Sequence, residues 1–327
     1  MTTSFCHYLP HLTNSFDRRD AAVTPLPAVQ SAVTNRGFCL YWRPSTMTAR
    51  TMLPFDPEVV RPWTLGSGPR GALLLHGFAG TPPELRRLGE HLAANGWTCR
   101  APAMAGHAAT PEELERTSWR DWARSAQQAL DELAAGCEEV VVAGQSMGGT
   151  MALHLAAHDD RIRAVATLAA PVWLRDWRLR LLPVFKHVVR WDVAGDDVDL
   201  FWPEAVEELH SYGRRPTRAI RELDLFCAAV RRELALVRPP VLVLHGGRDR
   251  VIDPRNAGDI ERGLVCSARV ERHMYPRSGH GMSVDVDRED INDRVLHWFD
   301  QFVPAPVTTA TPPASRRRAP KRAAAEA

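Results

Sequence analysis

Short apolar runs alternate with amphipathic stretches through the middle of the chain. Each run is too short for a helix, and six of them are predicted to be β-strands, at residues 72–75, 97–101, 140–143, 164–168, 241–244 and 270–275. Four of the runs are apolar on both faces, as is typical of strands covered by helices on both sides of a sheet. Polar residues in 97–101 and 270–275 favour positions nearer the edge of that sheet.

The stretches between the runs repeat apolar residues at intervals of three or four. This spacing predicts amphipathic helices, at residues 82–95, 118–135, 147–158, 254–264 and 287–302. Ser118 and Asp121 have the spacing of a capping box at the start of the second helix. Alternating strands and helices predict an α/β protein with a doubly wound, mostly parallel sheet.

One long segment, at residues 172–238, interrupts the alternation. It has no clear strand, many Trp and Arg residues, and helical fragments such as Thr217–Leu236. We therefore expect a helical cap that is inserted between two strands and covers the sheet edge. Its tryptophans have two open interpretations, the lining of an apolar pocket or the packing of the cap onto the body: Trp173, Trp177, Trp191 and Trp202.

The two ends of the chain differ from the middle in composition. Residues 1–52 mix Pro, Thr, Ser and Arg without sustained periodicity, and we expect either a disordered extension or an upstream start. Residues 304–327 are rich in Pro, Ala and Thr and end in a basic run, which predicts a disordered tail. The folded body is then expected at residues 53–303.

The overall composition is that of a soluble globular protein, with 45% hydrophobic and 24% charged residues among 327. These values exclude a chain disordered throughout, a collagen-like chain and a disulfide scaffold. The net charge of +2 hides a tail of +4, so the remainder of the chain is slightly acidic. A slightly acidic body is not typical of a nucleic-acid binder, and no nucleic-acid partner is expected.

The six cysteines are widely scattered, without a pair or a Cys/His cluster at metal-ligand spacing. We therefore expect reduced thiols, no metal and no cofactor. The N-terminus has no signal-peptide pattern, and the longest apolar run, near residues 164–174, is too short to span a bilayer. A cytoplasmic protein without stable membrane insertion is the expectation, and its oligomeric state remains open.

The strongest motif follows the run at 140–143. Residues Gly144–Gly148 read Gly-Gln-Ser-Met-Gly, which is G-x-S-x-G between a predicted strand and a predicted helix. This is the context of a nucleophile elbow, a tight turn that needs small residues on either side of the serine. Ser146 is the candidate nucleophile. The alternative is a glycine-rich turn without chemistry.

A serine nucleophile needs a base, and the base needs a carboxylate to orient it. Asp249 follows the run at 241–244, and His280 lies in a glycine-flanked loop after the run at 270–275. The order serine, acid, histidine is the one expected after a nucleophile elbow. The competing residues occupy a helix cap, a strand and the final helix and are weaker candidates: Asp253, His273 and His297.

Attack by the serine on a carbonyl group creates an oxyanion, which backbone N–H groups must stabilise. One donor is expected from Met147, directly after the nucleophile. The second is expected from Phe78, in the loop that follows the run at 72–75, where Gly77 and Gly80 let the chain approach the substrate. The alternative for this loop is a simple turn at the end of a strand.

Several motifs together resemble the α/β-hydrolase fold, and more narrowly the bacterial carboxylesterases and monoacylglycerol lipases. The resemblance covers about residues 53–303. It is carried by short motifs in the family's order, at His76–Pro82, Gly106–His107, Thr110–Leu114, Thr117–Trp122, Gly144–Gly149 and Ser278–His280. Two positions depart from the family pattern: Gln145 stands where relatives usually have Leu, and Ala108 replaces a glycine.

The resemblance implies the same site residues as the chemistry does. Ser146 matches the nucleophile, Asp249 the acid and His280 the base, while Phe78 and Met147 match the oxyanion donors. The implied function is hydrolysis of small carboxylic esters with an apolar acyl group, through an acyl-serine intermediate and without a cofactor. The alternatives are a monoacylglycerol lipase, an acyltransferase, a carbon–carbon bond hydrolase, a peptidase and a non-catalytic interaction protein.

Overall fold

The computed structural model describes residues 56–175, 189–193 and 199–305. The strands of these residues are β1 Trp63–Leu65, β2 Arg70–Leu75, β3 Trp97–Ala101, β4 Glu139–Gln145, β5 Ile162–Leu168, β6 Trp191–Val193, β7 Arg214–Pro216, β8 Val241–Gly246 and β9 Val270–Tyr275. The α-helices are α1 Arg86–Ala94, α2 Pro111–Arg116, α3 Trp119–Ala134, α4 Met147–His158, α5 Thr217–Glu233, α6 Arg255–Gly263 and α7 Arg288–Phe302. The predicted extension at 1–52, and the predicted tail from residue 306 onward, lie outside the described residues.

Seven strands form one sheet, in the order β1-β3-β2-β4-β5-β8-β9. Every neighbouring pair in this sheet is parallel except β1 with β3. Alternate residues of β4 enter two separate cores: Val140 and Val142 face one, and Val141 and Ala143 face the other. Helices cover both faces, which explains the continuous apolar runs and confirms the predicted doubly wound α/β fold.

All six predicted strands are present, and 97–101 and 270–275 have the predicted bounds. Strand β1 was not predicted, because three residues are too few to display an alternating pattern. The predicted helix at 82–95 begins with a 3₁₀ turn, Pro82–Leu85, before α1. Consecutive prolines lack N–H groups and fit only the first turn of a helix. No helix of the described residues is long and apolar enough to cross a bilayer.

The inserted segment 172–238 does contain strands, contrary to the expectation from its sequence. Strands β6 and β7 pair antiparallel, with Trp191 opposite Pro216. Each strand has only three residues, so neither could show an alternating pattern. Helix α5 follows β7 directly, and the described part of the insertion also has two 3₁₀ helices, Pro203–Glu208 and Leu234–Leu236.

The described cap tryptophans each pack against an arginine. The guanidinium carbon of Arg231 lies 3.4 Å from the ring centroid of Trp173, and that of Arg288 lies 3.5 Å from Trp202. Arg214 stacks on Trp191 at 4.3 Å. The contact of Trp202 with Arg288 packs the insertion onto the body, whereas those of Trp173 and Trp191 join residues within the insertion. Trp177 lies outside the described residues.

Replacement of Ala108 by glycine is expected to stabilise the protein. Ala108 has a φ of 55°, in the left-handed region that disfavours a residue with a Cβ. The substitution removes this strain and should raise the free energy of unfolding by about 1 kcal/mol, measured by urea denaturation. Ala105→Gly is the control; it lies nearby without a positive φ and should be destabilising. If Ala108→Gly lowered the free energy of unfolding, the conclusion that Ala108 is strained would be wrong.

Candidate active site

Ser146 lies at the junction of β4 and α4, with φ 53° and ψ −121°. This conformation is rare for a residue with a side chain and costs about 1–3 kcal/mol. A Cβ on Gly144 would lie 2.2 Å from the carbonyl oxygen of Gly148, and one on Gly148 would lie 1.9 Å from that of Leu75. Only glycine fits at either position, so the predicted tight strand–turn–helix is present.

His280 lies between Ser146 and Asp249. Its Nε2 is 3.0 Å from Ser146 Oγ, and its Nδ1 is 2.8 Å from Asp249 Oδ2. Because an ionised carboxylate only accepts hydrogen bonds, Nδ1 carries the proton and Nε2 is left to accept from the serine. Ser146 is 9% exposed and Asp249 is 4% exposed, so the hydrogen-bonded series Ser146–His280–Asp249 is largely shielded from water. The structure thus brings together the three residues predicted from sequence.

The competing candidates take part in other contacts. The carboxylate of Asp253 accepts a hydrogen bond from the backbone N–H of Arg255, at 2.9 Å. His273 packs on the ring of Tyr275, with 4.7 Å between the centroids. His297 lies within α7. The structure gives none of the three a contact with Ser146.

Besides His280, three donors hold the carboxylate of Asp249. Its Oδ1 accepts from the backbone N–H groups of Val251 at 2.9 Å and Ile252 at 2.7 Å, while its Oδ2 lies 3.1 Å from His245 Nε2. Burial alone would raise the pKa of Asp249, but the charge of His280 and these hydrogen bonds outweigh burial and lower the pKa well below its ordinary value. Asp249 is therefore an anion throughout the physiological pH range.

The pKa of His280 is raised above the ordinary 6.5. Burial opposes the charged imidazolium, but the neighbouring charge of Asp249 and its hydrogen bond outweigh burial, with smaller support from Glu84 and Asp199. A raised pKa makes the neutral imidazole a stronger base for a proton released beside it.

Three polar side chains hold the loop that carries His280. Asp199, from the inserted segment, accepts the backbone N–H of His280 at 3.0 Å through Oδ2 and binds Arg250 Nε at 2.7 Å through Oδ1. Gln145 Nε2 donates to the carbonyl oxygen of His280 at 2.5 Å. Asp285 accepts the backbone N–H of Gly279 at 2.7 Å. The base is therefore positioned from the cap, from the residue before the nucleophile and from its own loop.

Sequence reasoning missed two of these three supports. Asp199 and Asp285 stand in acidic stretches without a distinguishing pattern, and only the fold brings them to the base. Gln145 did carry a signal, because its amide departs from the family's usual Leu. That amide is fully buried and makes two hydrogen bonds to the loop after β9. Its Nε2 donates to His280, and its Oε1 accepts the N–H of Ser283 at 3.3 Å.

The two predicted oxyanion donors lie on adjacent segments. Met147 begins α4, and the tight approach of Gly148 to Leu75 sets the first turn of α4 against the loop of Phe78. A Cβ on Gly77 would lie 3.4 Å from the Cβ of Ser146, so this loop passes directly beside the serine. Within residues 56–175, 189–193 and 199–305, neither the N–H of Phe78 nor that of Met147 donates a hydrogen bond, and both remain available to a ligand.

A carboxyl group that sequence reasoning did not single out lies under the same loop. Glu84 accepts the backbone N–H of Gly77 at 2.6 Å. Burial raises the pKa of Glu84 to about 7, against the opposing effects of the Gly77 hydrogen bond and the charge of His280. The Gly77 N–H is thereby occupied, whereas the N–H of Phe78 is not.

Residues of the inserted segment contact the loops that carry the candidate site. The backbone N–H of Tyr212 donates to the carbonyl oxygen of Ala79 at 3.2 Å, and the hydroxyl of Thr81 donates to His210 at 3.1 Å. A Cβ on Gly281, next to the base, would lie 2.5 Å from a methyl of Leu200 and 3.4 Å from one of Leu209. Apolar cap side chains therefore lie directly beside the His280 loop.

A sequence profile of the family described as serine aminopeptidase, S33 matches residues 69–287, about two thirds of the chain. The chain belongs to this family. Its resemblance to the α/β-hydrolases is confirmed by the mostly parallel sheet and by solved structures of the same fold.

This S33-family chain is 31% identical over 243 residues to the thermostable monoacylglycerol lipase of Bacillus sp. (strain H-257), covering 73% of the chain and 93% of that relative. It is 26% identical over 244 residues to a carboxylesterase of Bacillus subtilis (strain 168), covering 74% and 97%. Among solved structures, one from a study of LipS and LipT, two metagenome-derived lipolytic enzymes, has a TM-score of 0.70 at 26% identity, covering 74% and 98%. A soluble variant of monoglyceride lipase from Saccharomyces cerevisiae, with a TM-score of 0.61 at 18% identity, covers 74% and 91% and shares the fold.

Proposed function

We propose that the protein is a serine hydrolase of carboxylic esters that works through an acyl-Ser146 intermediate. The observation that carries the proposal is the hydrogen-bonded series from Ser146 through His280 to Asp249, beside two backbone N–H groups that are free to bind an oxyanion. Membership in a hydrolase family, and relatives named carboxylesterase and monoacylglycerol lipase, support it.

In the first half-reaction His280 Nε2 accepts the proton of Ser146 as the serine oxygen attacks the ester carbonyl. Asp249 stabilises the imidazolium that forms, and the N–H groups of Phe78 and Met147 bind the oxyanion. The imidazolium then gives its proton to the leaving alcohol. In the second half-reaction His280 takes a proton from water, whose oxygen attacks the acyl carbon, and returns it to Ser146 Oγ.

The proposed substrate is a small ester with an apolar acyl group. Leu200 and Leu209 beside the base, and the half-buried ring of Phe78 beside the oxyanion donors, offer apolar surface to an acyl chain. Hydrolysis of monoacylglycerols is the second candidate, favoured by the 31% identity to a lipase of that name. The cytoplasmic location, the absence of a nucleic-acid partner, and the domain bounds of 53–303 with a cap at 172–238 stay predictions.

Turnover of p-nitrophenyl esters from acetate to palmitate, alongside a monoacylglycerol, tests the proposal. An esterase is expected to hydrolyse the short esters with the highest kcat/KM, whereas higher kcat/KM for the glycerol monoester would select the lipase candidate. Product analysis with an added alcohol acceptor separates hydrolysis from acyl transfer. Absence of turnover for the whole series would refute ester hydrolysis.

Activity is expected to fall as the pH drops through the pKa of His280. The proposed base must be neutral to accept the serine proton, and its pKa is raised, so the acid limb of kcat/KM should have its midpoint above pH 6.5. A pH-stat assay of a short-chain ester measures this limb. Glu84→Gln removes one of the charges that raise the pKa of His280 and should move the limb to lower pH. A wild-type midpoint below 6.5 would contradict the assignment.

A further inference from the structure

Outside the proposed active site, two histidines and a glutamate converge where α4 meets α5. His154 Nδ1 lies 2.7 Å from one carboxylate oxygen of Glu233, and His158 Nε2 lies 3.4 Å from the other. One ligand atom from each of the three residues lies within 4.8 Å of the other two. Imidazole nitrogens and a carboxylate oxygen at this separation are a candidate cation site.

The fold brings these groups together from distant parts of the chain. His154 and His158 are four residues apart on α4, so their side chains lie on one face, a turn apart. Glu233 is the last residue of α5 and is 79 positions away from His154 in sequence. The histidine spacing is visible in the sequence, but the third ligand is not, which is why a search for Cys pairs and Cys/His clusters does not find this site.

The surroundings fix one histidine and leave the other accessible. The ring of His154 makes edge contacts with Trp119 and Phe226, at centroid distances of 5.8 and 5.7 Å. Those two rings stack on each other at 5.4 Å. His158 is 49% exposed, so an ion and a water molecule can reach the site from the solvent side.

We propose that His154, His158 and Glu233 bind a divalent transition-metal ion such as Zn²⁺, with water in the fourth position. Two imidazoles and a carboxylate are a ligand set that zinc takes in proteins, and the ion would replace the protons that now join the histidines to the carboxylate. The site stands eight residues from Ser146 along α4, about 12 Å at the rise of an α-helix. The ion would thus join the cap helix α5 to the body without touching the serine.

Metal titration of the full-length, EDTA-treated protein tests the proposal. Isothermal titration with ZnCl₂ should give one saturable site, and a hundredfold excess over Kd should raise Tm by about 5–10 °C. CoCl₂ should give the visible d–d absorption of a nitrogen- and oxygen-ligated ion, without the thiolate charge-transfer band that binding at a cysteine would produce. Turnover of a short ester at 25 °C should stay unchanged.

Variants locate the ion. His158→Ala and Glu233→Gln should weaken Zn²⁺ binding more than 100-fold, because loss of an outer-shell partner already costs about 10–100-fold. His91→Ala is the matched control, since His91 also faces a carboxylate, with Nε2 3.1 Å from Asp293, but has no second histidine. Equal affinity in the control and the two variants, or no rise in Tm with Zn²⁺, would overturn the proposal.

Discussion

Replacement of Ser146 by alanine is expected to lower kcat for a short p-nitrophenyl ester about 10⁶-fold, with little change in KM. The substitution removes the atom that forms the acyl-enzyme, while the surfaces that bind the ester in its ground state remain. Ser146 has a positive φ, and alanine also carries only a small side chain, so the turn should keep its geometry. Steady-state kinetics, with circular dichroism to check folding, measure the effect.

Ser283→Ala is the matched control. Ser283 is a buried serine whose hydroxyl has no hydrogen-bond partner in the described part of the chain, so its loss should cost little stability and no activity. If Ser146→Ala retained more than a few per cent of the wild-type kcat, the acyl-serine mechanism would be wrong. A comparable loss in both variants would point to a disturbed fold instead.

Replacement of Asp249 by asparagine should lower kcat about 10⁴-fold. An amide in this position can donate to His280 Nδ1 and so stabilise the tautomer that has its proton on Nε2, which cannot accept the proton of the serine. The amide oxygen can still accept the N–H groups of Val251 and Ile252, so the loop should stay folded. The loss should appear in kcat, because ester binding does not use this carboxylate.

Asp253→Asn distinguishes this acid from its rival in the same loop. Asp253 stands four residues after Asp249 and contacts Arg255, without a contact to His280, so its substitution should change kcat less than threefold. A larger loss in Asp253→Asn than in Asp249→Asn would reassign the acid. Restored activity of Asp249→Asn at high pH would separate an effect on the tautomer from a misfolded loop.

Much of the fold could be predicted from the sequence because its central strands are buried. A strand such as β4, covered on both sides, must be apolar at nearly every position, and this requirement is legible in one sequence. The candidate site could be predicted for a related reason. The carboxyl ends of parallel strands meet at one edge of the sheet, so residues after β4, β8 and β9 come together. Ser146, Asp249 and His280 each occupy such a position.

The elements that escaped prediction depend on long-range contacts. Strands β6 and β7 are stabilised by pairing with each other and by arginines stacked on Trp191, and neither has a local signature. Glu84 gains its raised pKa from burial under the loop of Gly77, seven residues earlier in the sequence. Asp199 looks like any acidic residue until the fold sets it beside His280. Local sequence patterns carry no information on contacts between residues that are distant in the chain.

The contacts of Asp199 limit how freely the insertion can be exchanged. Caps in this fold are natural targets for grafting when a new substrate range is wanted. Here the graft would also remove the carboxylate that binds the backbone of both His280 and Arg250, the neighbour of the proposed acid. A chimaera that keeps an aspartate at this position would preserve the geometry of the base. One designed on pocket shape alone would gain a new specificity but lose catalytic rate, because the base would no longer be held.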